Sequence, residues 1–148
     1  MEIISVAKKP LTVSLAAIRI TFGIFMLIWA LDKFINPAHA TAIWDNFYHL
    51  PLKGYWIFVT ALGQTLLALA VIVGFLKRWS YGLAFLLHLI STLSTWKQLL
   101  DPWGFQSGSP TVALFQAAVP VVAASLAIYL LREYDTWTFD NWLKHGKF

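Results

Sequence analysis

The sequence predicts an all-α fold, a polytopic membrane four-helix bundle with both the N- and C-termini on the cytoplasmic side. Three observations lead there. Of 148 residues, 59% are hydrophobic and only 12% are charged, with a mean hydropathy of +0.66, outside the usual range of soluble domains. Four apolar runs each approach the roughly 20 residues a helix needs to cross a hydrocarbon core. Basic residues are distributed unevenly between the two sides of those runs.

The expected spans cover about residues 11–31, 56–76, 79–96 and 111–131, within a single domain, 1–148. Pro10 suits the first position of span one, Lys77 and Arg78 separate spans two and three, and Ser109 with Pro110 reads as a cap followed by a first-turn proline. Segment 36–50 opens with Asn36 as a cap and Pro37. Its Ile43, Trp44, Phe47 and Tyr48 share one face, so it is expected to lie on the outer membrane surface. The tail, 132–148, mixes Trp137, Phe139, Trp142 and Leu143 with charges and is expected at the cytoplasmic interface. A signal peptide is the rival reading of span one. Its apolar run exceeds an ordinary signal core and Asp32 and Lys33 interrupt the approach to Ala38-His39-Ala40, so the span is retained.

Lys8, Lys9, Lys77, Arg78, Arg132, Lys144 and Lys147 fall on one side and Lys33, Lys53 and Lys97 on the other, which makes the first set cytoplasmic. The net charge of +4 therefore marks loops of a protein of the bacterial inner membrane and not a nucleic-acid partner. Cysteine is absent, which removes disulfides, thiolate metal sites and a dithiol relay through this chain. No metal site is expected. Asp45 and His49 stand one turn apart, but two ligands are a weak signal. A haem held by two histidines is disfavoured because His39, His49 and His145 lie outside the spans.

Ionisable groups inside a bilayer are costly and mark the candidate site. Arg19 lies about eight residues, ~12 Å, from the cytoplasmic start of its span, and His88 is expected at nearly the same depth in span three. Arg19 shares a face with Thr12, Ala16, Gly23, Met26 and Ala30; Tyr81, Ala84, His88, Ser91, Thr92 and Thr95 form a second small and polar stripe. Span two adds Thr60, Gln64 and Ala68, and span four adds Gln116, Pro120, Ala124 and Ala127. The candidate ligand-binding residues are thus Arg19, Gln64, His88, Ser91 and Thr92, with Gln116 expected near Thr95. No Asp or Glu occurs within the spans. The Arg19 guanidinium must find Gln64, helix carbonyls, lipid phosphate, a ligand oxygen such as a quinone carbonyl, or a neighbouring subunit. Asp32 and Lys33 read as a rim ion pair or interface anchors.

The run Ala17-Ile18-Arg19-Ile20-Thr21-Phe22-Gly23-Ile24-Phe25, followed by Asp32-Lys33-Phe34 and Pro37, resembles the first-helix signature of the DoxX-like family of small four-helix membrane proteins. Leu62-Gly63-Gln64 through Val73-Gly74-Phe75-Leu76-Lys77-Arg78 resembles that family's second helix and cytoplasmic turn. The resemblance covers about residues 14–96. It implies a membrane subunit associated with redox enzymes, with quinone as the implied cofactor and Arg19, Gly23, Lys33 and Gln64 as matching positions. Gln64 replaces the Glu of many relatives, which weakens a proton-coupled role. Three functions stay open: a quinone-interacting redox subunit, a non-catalytic accessory subunit of a larger respiratory or photosynthetic complex, and, last, a small-solute transporter. Lipid and other membrane subunits are the expected partners.

Overall fold

The computed structural model describes residues 2–105 and 113–146, with side chains from residue 9 onward. The expected Ser109 and Pro110 cap and Lys147 lie outside the described residues. Every regular element among them is helical.

Helix α1 spans Glu2–Ile35, 34 residues, or ~51 Å at 1.5 Å per residue, well beyond a ~30 Å hydrocarbon core. It starts two turns before the expected position, so Pro10 stands inside the helix and not at its first turn. The cap at Asn36 forms as expected: its side-chain oxygen accepts from the His39 amide at 3.2 Å, and Pro37 opens α2, Pro37–Tyr48. Asp32 meets His39 Nδ1 at 2.7 Å, while Lys33 donates to the Trp29 carbonyl at 2.9 Å. The acid at the end of α1 therefore fastens α2 instead of pairing with its lysine neighbour.

Helix α3, Tyr55–Val73, ends on Gly74 at φ 70°, and α4, Lys77–Ser94, begins after Leu76 at φ 50°. Two left-handed residues, Gly74 and Leu76, reverse the chain within one short turn. A bend at Thr95 leads into α5, Trp96–Leu100. The fourth expected span is a short 3-10 segment, Ala113–Ala117, continued by α6, Ala118–Leu130. Pro120 explains that join, because it has no N–H to offer the carbonyl four residues back. It stands on an exposed position, not in the interior. After a turn comes α7, Phe139–His145, capped by the Thr138 side chain.

Among the described residues, three helices are long and apolar enough to cross a membrane: Lys9–Ile35, Tyr55–Val73 and Ala113–Leu130. Helix α4 has 18 residues but dilutes its apolar run with Lys77, Arg78, Ser80, His88, Ser91, Thr92 and Ser94. It nevertheless packs as the fourth member of the bundle, along α6 and against α3, while α1 lies along α3 and touches α6. Leu15, Phe22, Val71, Tyr81, Ala84 and Ile128 form the core. The α1 face expected to point inward does so, with Thr12, Ala16, Arg19, Gly23 and Ala30 all buried. Many outward-facing positions are large and apolar, among them Ile24, Ile28, Leu62, Leu66, Leu83, Leu86 and Ile90.

Candidate functional site

Arg19 lies inside the bundle, 3% exposed, near the end from which α1 and α4 both rise. Its partner comes from beyond the last long helix. The tail turns back at 131–134 and lays Asp135, fully buried, against the guanidinium. Arg19 Nε and Asp135 Oδ2 stand 3.2 Å apart, and Nη2 donates to the Trp137 carbonyl at 2.7 Å. The buried Tyr81 hydroxyl donates to the same Oδ2 at 2.7 Å. Helices α1 and α4 are thereby joined through one tail carboxylate.

Around this triad the tail is held mainly by hydrogen bonds. Thr12 donates to the Tyr134 carbonyl at 3.3 Å. Lys77 Nζ donates to the carbonyls of Arg132 and Asp135 at 3.0 and 2.9 Å. Burial pushes the Lys77 ammonium below its ordinary value of 10.5, against the opposing pull of the Asp135, Glu133 and Asp140 carboxylates. Asp140 accepts the Leu76 and Lys77 amides at 2.8 and 2.9 Å, supplying from the tail the cap that Leu76 cannot give α4. Thr138 is buried directly on Gly74, where an added Cβ would stand 2.6 Å from the Thr138 side chain and 2.5 Å from Arg19 Nη1. Only glycine fits there, both for its positive φ and for this close approach.

The remaining expected residues lie elsewhere. His88 is seven residues above Tyr81 on α4, ~10 Å along the axis, and not at the depth of Arg19. Its ring packs in T-shaped contact with Phe22 and Phe25, with ring centroids 5.8 and 5.6 Å away, and the Ala118 backbone interacts with it. Its Nε2 and, one turn on, the Thr92 hydroxyl oxygen are buried with no hydrogen-bond partner of ordinary geometry among the described residues. Ser91 is half-buried and its carbonyl accepts from Ser94 at 2.7 Å; Gln64 is half-buried on α3. Arg19, Gln64 and His88 share no hydrogen bond or ion pair among the described residues. Gln116 donates to the Leu99 carbonyl at 2.8 Å, at the same end of the bundle as Thr95. No three metal-ligating side chains gather among the described residues.

Sequence reasoning misses Asp135 and Lys77 as interior groups and Asp140 as a half-buried cap. The signal for Asp135 is indirect: a buried guanidinium demands an anion, and Asp135 stands four residues past the last expected span. Chemically the cluster is an ion pair braced by a phenol and an ammonium, suited to holding helices together, with Arg19 Nη1 and Asp135 Oδ1 buried and without a hydrogen-bond partner among the described residues. No protein-family profile, curated protein or solved structure matches this chain.

Proposed function

We propose that the chain is an integral accessory subunit of a quinone-linked redox complex in a bacterial inner membrane. It crosses the bilayer four times with both termini cytoplasmic, and contributes packing instead of chemistry. The observation that carries this reading is the placing of small residues on outward positions. Ser14, Ala17 and Thr21 are exposed along α1, and Gly63 is exposed on α3 with nothing within 4 Å of where a Cβ would be. Lipid gains nothing from such positions, whereas a neighbouring helix gains close approach. The occupation of Arg19 by the chain's own Asp135 weighs in the same direction, because it takes up the charge best suited to a ligand. The redox character of the partner rests on the DoxX-like resemblance of 14–96, and the orientation on the lysine and arginine distribution.

Gentle extraction and mass identification test the proposal. Larger membrane redox subunits are expected in fixed stoichiometry with the chain, and Gly63→Leu is expected to release them while the chain stays folded. Recovery of a free monomer under the mildest extraction would overturn it.

A ligand-binding reading is favoured by one observation, the buried His88 Nε2, which has no hydrogen-bond partner of ordinary geometry among the described residues, on a ring that packs perpendicular to Phe22 and Phe25. A quinone carbonyl is an acceptor of the right kind for a protonated Nε2. Quinone retained by the purified protein and lost on His88→Ala would establish it; no retained quinone would end it.

A further inference from the structure

At the end of the bundle opposite the tail, a cavity of about 170 Å³ opens between α2 and the joint of α4 with α5. Its lining divides cleanly by chemistry. Lys97, His49, Asn46, Gln98 and Ser94 offer one fixed positive charge, an imidazole, two amides and a hydroxyl, and Phe47 and Trp96 supply the apolar wall. No carboxylate is among the lining residues. Lys97 Nζ lies 5.8 Å from the centre of the Trp96 ring, so its charge is held over the aromatic wall at the cavity. His49 adopts φ 54°, outside the range most side chains favour, as the residue that ends α2.

We propose that this cavity holds the phosphate of an anionic lipid headgroup, with Lys97 and His49 facing the phosphate and Trp96 and Phe47 lying along the glycerol and upper acyl chain. The inference rests on the membrane reading above. Donors and a cation without an acid select an anion. Aromatic rings beside them select a molecule with an apolar part. The cavity is well below the usual lower bound of about 300 Å³ for pockets that enclose a whole organic ligand, so it takes a headgroup whose chains remain in the bilayer.

The test uses the full chain in neutral detergent with added phosphatidylglycerol, phosphatidylcholine or inorganic phosphate, read by native mass spectrometry. Preferential retention of phosphatidylglycerol is expected, weakened about tenfold by the double variant Lys97→Gln, His49→Gln, with Lys53→Gln as a surface-charge control that leaves it unchanged. Equal retention of the two lipids, loss with the control as large as with the double variant, or displacement of lipid by millimolar inorganic phosphate would each overturn the proposal. Failure of the membrane reading would show separately, as a chain that stays dispersed without detergent.

Discussion

Arg19 on the first helix and Asp135 in the tail, 116 positions apart in the chain, form a 3.2 Å ion pair with side chains only 3% and 0% exposed. A pair this deep is a poor source of net stability, because desolvation offsets its attraction, yet removing one member strands the other. Arg19→Met or Asp135→Asn alone is expected to destabilise the chain by roughly 3–5 kcal/mol. The double variant is expected to cost clearly less than the sum, since neither member of the pair is left charged without the other and the amide oxygen that replaces the carboxylate still accepts from Tyr81. Reversible unfolding in mixed micelles followed by tryptophan fluorescence measures this; strictly additive losses would show that the two side chains act independently.

Gly74 lets Thr138 and the guanidinium approach the α3–α4 turn. Gly74→Ala adds a Cβ both at φ 70° and within 2.6 Å of Thr138, and is expected to displace the tail. Gly54 also has a positive φ, 56°, but its ψ of −126° lies outside the left-handed helical region of Gly74, and no described residue lies within 4 Å of an added Cβ. Gly54→Ala therefore carries backbone strain without a steric contact, on the order of 1–3 kcal/mol. Limited proteolysis between residues 135 and 146 should accelerate strongly for the first variant and little for the second. Equal behaviour would mean that the tail does not depend on the turn.

Asp140 caps α4 from another part of the chain, with both carboxylate oxygens on successive amides. Asp140→Ala is expected to cost about 1–2 kcal/mol. It should raise hydrogen exchange at the Leu76 and Lys77 amides ahead of the rest of α4. Unchanged exchange at those two amides would remove the capping role.

Much of this architecture can be read from the residues, and the part that cannot has a physical reason. The Asn36 and Pro37 start of α2, the inward face of Thr12, Ala16, Arg19, Gly23 and Ala30, and the α3–α4 boundary follow from local chemistry that acts over a few residues. The tail does not. Its aromatic and charged residues have the composition of an interfacial segment, and what draws it inward is the unmet charge of Arg19, more than a hundred positions away. Counting residues into each span puts His88 level with Arg19, because both sit eight or so positions from a start. The beginning of α1 two turns earlier and the way α1 and α4 meet through the tail set the true register, which puts Tyr81 there.

Lys77 carries a pH signature. Its folded value lies below 10.5, so between that value and 10.5 the unfolded chain binds more protons than the folded one. Stability contributed at this site therefore rises with pH through the window, and the cost of burying the charge is fully present below it. Lys77→Met removes the ionisable group. Subtracting the variant's stability curve from the wild-type curve should leave a difference that rises toward pH 10.5; a flat or falling difference would show that the ammonium is not penalised by burial.

Gly23 and Gly63 make opposite use of the same missing side chain. At Gly23, an added Cβ would stand 2.5 Å from Ile72 Cγ1 and 3.2 Å from the Ile72 amide nitrogen, so α1 and α3 pack through that gap. Gly23→Ala is expected to destabilise by about 1–3 kcal/mol, because two of the atoms it would meet, the Ile72 nitrogen and the Ala68 carbonyl oxygen, are backbone and cannot move without separating the helices. At Gly63 the space is open, and Gly63→Ala should stabilise the isolated chain by about 0.5–1 kcal/mol through helix propensity. An added Cβ at Gly63 would meet nothing among the described residues, so under the proposed function the missing side chain makes room for a neighbouring helix. The discriminating measurement is therefore to follow Gly63→Ala both in isolated protein and in native membranes. A stability gain in the first with weakened association in the second is expected, and association unchanged even by Gly63→Leu would leave α3 facing lipid alone.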